Sequence, residues 1–177
     1  AHISYLAYVE EEGSGIPDFE EMELLVPYGV NTDDPDMAYT IGLDQTEGVF
    51  DGKMSPTVNY LGHPPLYYWL LSLTNAVHME DDHVYVELDV LRYFNMGLGI
   101  LIIILYFYIG YTRIKKVPIL HLAYALLSTS LPLFCYTLVT INNDVLTYLT
   151  VGIFILGALR FIEGKRNSLT YILIALG

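Results

Sequence analysis

The side chains best suited to chemistry in this sequence are carboxylates, imidazoles and one guanidinium gathered at a few points. Asn142-Asn143-Asp144 sets an acid beside two amides. At the junction of two apolar runs such an acid costs little to keep charged and can face a cavity between helices, and Asn or Asp there also serves as an ordinary helix N-cap. Asp33-Asp34-Pro35-Asp36 and Glu80-Asp81-Asp82-His83 carry enough oxygen ligands for a hard cation such as calcium. Neither has the ligand spacing of a defined calcium loop, so solvated acidic surface is their bland reading. His63 precedes Pro64-Pro65, and it is either a loop histidine at headgroup depth or a ligand for a phosphate or sugar at a membrane surface. Arg92 stands alone at the head of a long apolar run, where a guanidinium grips a lipid phosphate as a fork or anchors the helix end. The sequence has no Gly-rich phosphate loop and no zinc-type spacing of Cys and His. Cys135 is the single cysteine, so no intrachain disulfide forms, and a small buried thiol in a helix is expected there.

Two chemically opposed regimes position these groups. The 177 residues are 54% hydrophobic yet carry a formal net charge of -12, a pairing that one core does not accommodate. Eighteen of the twenty acidic residues lie between Glu10 and Asp89, and only Asp144 and Glu163 lie beyond. The basic residues do the reverse, Lys53 alone preceding Arg92. Residues 1–90 are therefore read as an acidic segment in water and 91–177 as an apolar segment in lipid. The negative balance also argues against a nucleic-acid partner.

The lipid segment divides by its charges. Runs over about 91–112, 117–140 and 144–162 are each close to the twenty or so residues a crossing helix needs, and 168–177 begins a fourth. Pro132 is expected to kink the second run. Arg113, Lys115 and Lys116 follow the first run, and Lys165 and Arg166 follow the third, so the positive-inside rule places both turns in the cytoplasm. Asn142-Asn143-Asp144 and all of 1–90 are then outside. The expected fold is an all-α polytopic membrane protein whose large extracytoplasmic loop contains juxtamembrane helices.

Within that loop, Ile3, Leu6, Ala7 and Val9 predict a short amphipathic helix over about 2–12. The apolar stretch His63 to Leu73 offers only about a dozen residues before the chain turns polar at His78, short of a crossing. A helix over about 64–77 is expected to lie in the outer interface, with Tyr67, Tyr68 and Trp69 at headgroup level. Residues 17–56, rich in Asp, Glu, Gly and Pro, read as loop with at most short elements.

Three landmarks together resemble the GT-C superfamily of integral-membrane glycosyltransferases, which includes protein O-mannosyltransferases and lipid A aminoarabinose transferases. His2-Ile3-Ser4-Tyr5-Leu6-Ala7-Tyr8, followed by acids and Gly13, looks like the first juxtamembrane helix of that family's outer loop. His63-Pro64-Pro65-Leu66-Tyr67-Tyr68-Trp69 is similar to the loop's closing (Lys or His)-Pro-Pro-Leu-x-Tyr-Trp element. Leu131-Pro132 followed by Asn142-Asn143-Asp144 is similar to the next outer turn. The resemblance implies inverting transfer of a sugar from a polyprenyl phosphate, outside the cytoplasm, to an acceptor hydroxyl. A loop carboxylate acts as base, and a divalent cation or cationic side chain meets the departing phosphate.

In such families the principal base stands just before the position of His2, which here is upstream of Ala1, so the chain reads as an N-terminal fragment lacking the first span and inactive alone. Asp144 is the candidate for positioning a metal or the acceptor. His2 lines the pocket, Tyr67 supports it, and His63, Arg92 and Asn143 complete the substrate-binding set. His63 replaces the Lys of the aminoarabinose transferases and binds phosphate more weakly at neutral pH. The alternative is a non-catalytic transporter or assembly subunit whose acidic outer loop binds cations or a partner.

Overall fold

In a computed structural model the described residues are 2–12, 23–27, 47–53, 65–80, 83–114, 117–130 and 132–177. His63 and Asp33-Asp34-Pro35-Asp36 lie outside them. The chain divides into two compact units, Ala1–Phe94 and Asn95–Gly177.

The first unit is not all helix, which corrects the expected all-α class. Helix α1 (His2–Glu12) packs with helix α2 (Leu66–Ser72) and with an antiparallel sheet of β1 (Glu23–Pro27), β2 (Glu47–Lys53), β3 (Val77–Glu80) and β4 (His83–Val86). The strand order is β1-β2-β4-β3. Val77 pairs with Val86 and Glu80 with His83, which puts the two ends of the second acidic cluster in strand register; Asp81 and Asp82 are outside the described residues. The strands escaped notice because β3 and β4 are four residues long and their alternation is submerged in acidic sequence. In β4, Val84 and Val86 are buried while Tyr85 between them is exposed, the period of two that a half-buried strand needs.

Helix α1 is not a surface helix. Ser4, Tyr5, Leu6, Ala7, Tyr8 and Val9 are buried in unbroken succession, and a helix enclosed on all sides is a core helix. Ser4 ties it to the sheet, its Oγ accepting the Leu25 N–H at 3.1 Å.

Helix α2 is half the expected length. It starts after Pro65, whose carbonyl accepts the Trp69 N–H. It ends because Asn75 takes a positive φ of 50°, a left-handed conformation that Asn tolerates, and the chain then enters β3. Tyr67 and Tyr68 are buried rather than at headgroup level, whereas Leu66, Trp69 and Leu73 are exposed.

The second unit holds α4 (Pro118–Thr129), α5 (Pro132–Val139), α6 (Asp144–Ile162), α7 (Ser168–Leu176) and most of α3 (Leu88–Arg113). Helices α3 and α6, 26 and 19 residues, are long and apolar enough to cross a membrane. The run expected as one kinked helix over 117–140 is two helices. Pro132 has no N–H to offer the preceding turn, so α4 stops at Thr129 and α5 opens at Pro132. The Thr129 carbonyl accepts instead from the Cys135 thiol at 3.1 Å. Cys135 is exposed, not buried as expected.

Helix directions follow from paired contacts. Asn95, early in α3, donates from Nδ2 to the Thr140 carbonyl just beyond α5. Further along α3, the Tyr106 carbonyl accepts the Tyr124 hydroxyl of α4 at 3.0 Å. The α4–α5 pair thus runs back along α3. At the far end Arg113 Nε lies 3.1 Å from Glu163 Oε1, so α3 and α6 finish together. Arg160 Nε then reaches Thr170 Oγ1 at 3.3 Å, which turns α7 back along α6.

Candidate functional site

The sequence-derived site residues fall in both units: His2, Tyr67 and Arg92 in the first, Asn143 and Asp144 in the second.

In the first unit, α1 carries His2 to the start of the enclosed helix and α2 carries two tyrosines at its foot. His2 Nδ1 lies 2.6 Å from the Tyr68 hydroxyl, which donates when the imidazole proton sits on Nε2. The Tyr68 ring stacks on Tyr5 with centroids 3.8 Å apart and meets Tyr67 edge-on at 5.2 Å. The structure thus pairs His2 with Tyr68, and Tyr67 lies against the same ring. Tyr67 occupies the x of the Pro-Pro-Leu-x-Tyr-Trp-like element and Tyr68 its tyrosine. Both rings are enclosed, and the Tyr68 hydroxyl lies within hydrogen-bonding distance of His2. Burial, with Tyr8 adding to it, raises the Tyr5 hydroxyl above the usual phenol range.

Glu10, two turns along α1 from His2, is the other titratable group here. Its Oε1 is buried and meets no hydrogen-bond donor among the described residues. Burial raises its carboxyl above the ordinary 4.5, partly offset by His78. His78 Nε2 in turn lies 3.4 Å from Glu87 Oε1, both side chains more than half exposed. Arg92 is also exposed and sits 3.7 Å from Asp89, one turn earlier on α3. Such a pair at the surface stabilises little and leaves most of the guanidinium's donors for another anion.

In the second unit, the acid of the outer turn is gripped by the residue two before it. Asn142 Oδ1 accepts the Asp144 N–H at 2.9 Å, and Asn142 Nδ2 donates to Asp144 Oδ2 at 3.1 Å. Asn142, not the formal cap Asn143, therefore satisfies one of the orphan donors opening α6. Asn143 is buried and Asp144 is exposed. The carboxylate is oriented through Oδ2 while Oδ1 meets no donor among the described residues, an arrangement that suits an acceptor of a substrate hydroxyl or an oxygen ligand for a hard cation. Among the described residues no three His, Cys, Asp or Glu side chains converge as a metal site.

Two further polar groups belong to this end of the bundle and were missed. Asn95 is fully buried in α3 and bonds Thr140, and Thr137 of α5 is buried as well. The available signal was an amide interrupting the apolar run that follows Arg92, since polar side chains inside such helices mark interhelical contacts or function.

The opposite end of α6, about 28 Å away at the rise of a helix, is basic. Glu163 bridges Arg113 and Lys165, and the Lys165 hydrogen bond, ahead of the charges around it, lowers its carboxyl below 4.5. Arg166 lies over the Phe161 ring, 4.9 Å from its centroid.

Comparison of the chain with protein-family models, with curated proteins and with solved structures yields no match.

Proposed function

We propose that this chain is the outer loop and following spans of an integral-membrane glycosyltransferase of the GT-C kind, transferring a sugar from a polyprenyl-phosphate donor to an acceptor on the extracytoplasmic side. The observation that carries the reading is the clamp of Asn142 on Asp144. It holds a carboxylate at the end of α6 remote from Arg113, Lys165 and Arg166. An interfacial lipid chemistry needs a fixed acid at one membrane face, with the basic anchors at the other.

The membrane setting rests on α3 and α6. Only 22% and 17% of their most apolar stretches are buried, which supports that setting. Ile100, Leu101, Ile104 and Phe107 on α3 and Val151, Phe154 and Ile155 on α6 face outward, as lipid contact requires.

In this reading Asp144 positions the acceptor hydroxyl or a divalent cation, and the base lies elsewhere in the protein. His2, Arg92 and His63 are assigned to substrate binding on the motif resemblance alone. The test is turnover of polyprenyl-phosphate sugar by the full-length protein. Asp144→Asn is expected to lower it about 100-fold, the scale on which misplacing a reacting group slows an enzyme, and unchanged turnover removes Asp144 from the site. Sidedness has its own test in a Cys135→Ser background. A cysteine at position 142 should label from outside and one at position 165 should not. The reverse pattern rules out the extracytoplasmic assignment. Substrate uptake without sugar transfer would favour the transporter alternative.

A further inference from the structure

Near the basic end of the second unit, two helices leave a cleft that the proposed chemistry does not use. It measures about 210 Å³ and is lined by Phe107 and Tyr111 of α3 and His121, Tyr124 and Ala125 of α4. Residues four apart on α3, and three and four apart on α4, share one face, so the lining forms two facing ridges. Gly110 sets their separation. A Cβ there would lie 2.5 Å from the Tyr124 ring, so only glycine lets that ring tuck against α3 while its hydroxyl bonds the Tyr106 carbonyl. Tyr111 and His121, ring centroids 5.9 Å apart and tilted at 44°, stand at the side of the cleft toward Arg113.

We infer that this cleft holds an anionic phospholipid, one acyl chain lying between Phe107 and Tyr124 and the phosphate meeting His121 and Tyr111. The apolar lining suits a hydrocarbon chain. The choice of headgroup rests on charge. Arg113 lies two residues past Tyr111, Lys115 and Lys116 follow in the sequence before α4, and the Arg113–Glu163 pair brings in the Arg160 to Arg166 segment. Glu163 is the single acid among those six basic residues, and basic clusters at helix ends near the cytoplasmic face select anionic headgroups. This inference rests on α3 as a membrane helix and is independent of the sugar-transfer reading.

The test is native mass spectrometry of the full-length detergent-solubilised protein titrated with phosphatidylglycerol or with phosphatidylcholine of matched chains. Phosphatidylglycerol should bind more tightly, by about five-fold for each basic residue engaged. Lys115→Gln with Lys116→Gln should erase most of that preference. Ala125→Trp fills the cleft and should weaken phosphatidylglycerol at least about ten-fold. His121→Leu, which keeps the bulk and removes the donor, gives the same readout should the tryptophan variant fail to fold. Equal affinity for the two lipids, undiminished binding in the variant that folds, or no binding of either lipid because another helix fills the cleft would each overturn the assignment. Recovery of the protein in the soluble fraction would instead strike at the membrane reading, before any lipid is added.

Discussion

Asn142 holds Asp144 at two atoms, its Oδ1 accepting the backbone N–H at 2.9 Å and its Nδ2 donating to the carboxylate at 3.1 Å. The two bonds do separable jobs, since the first caps a helix and the second aims an acid.

Substitutions at Asn142 should separate them. Asn142→Ala loses both and should destabilise the protein by about 1 kcal/mol, the usual value of a cap, with sugar transfer falling as well. Asn142→Ser keeps an oxygen for the backbone N–H but has no amide to reach Oδ2. Thermal unfolding should recover in the serine variant while turnover stays low. Recovery of both together would mean that the cap alone matters.

His2 and Tyr68 allow a similar dissection in the first unit. Tyr68→Phe keeps the stack on Tyr5 and removes only the hydroxyl, so about 1 kcal/mol should be lost in denaturant unfolding. Tyr68→Ala also empties a fully buried site between α1 and α2 and should cost about 3–5 kcal/mol, as other aromatic truncations do. If the phenylalanine variant were as unstable as the alanine one, the hydroxyl rather than the ring would be organising the nest.

Glu10 should make the protein less stable as pH rises. Its folded carboxyl titrates above the ordinary 4.5 because burial disfavours the charged form. The folded state therefore binds the proton more tightly than the unfolded chain does. That contribution is fully present below 4.5 and is lost as pH rises through the raised folded value. Glu10→Gln should raise the melting temperature at pH 7 and change it little near pH 4. An equal shift at both pH values would trace the effect to packing instead of charge.

What the sequence made legible follows the length of each pattern. Helix α6 could be read because eighteen residues after Asp144 carry no charge but Arg160, and the end of α1 because Gly13 follows three glutamates. The strands were hidden because an alternation of only two periods, as in His83-Val84-Tyr85-Val86, cannot be told from loop among neighbouring acids. Tyr67, Tyr68 and Trp69 have interface-seeking side chains alike, and only packing against α1 decides that two turn inward and one outward. The clamp at Asp144 lay in view as Asn-Asn-Asp, yet which amide closes on the acid depends on backbone torsions that composition does not reveal.

Gly157 and Gly97 offer a last contrast between two glycines that look alike in sequence. A Cβ on Gly157 would come within 2.9 Å of the Ile174 backbone nitrogen as well as of its side chain. Backbone cannot swing aside, so in Gly157→Ala the whole of α7 must move off α6, and about 1–3 kcal/mol should be lost. A Cβ on Gly97 meets nothing within 4 Å. Gly97→Ala, inside α3, should instead gain up to about 1 kcal/mol from restricting the unfolded backbone. Unfolding by increasing detergent denaturant should move in opposite directions for the two variants. Equal stability of Gly157→Ala and the parent protein would mean that α7 does not lie against α6 at this distance.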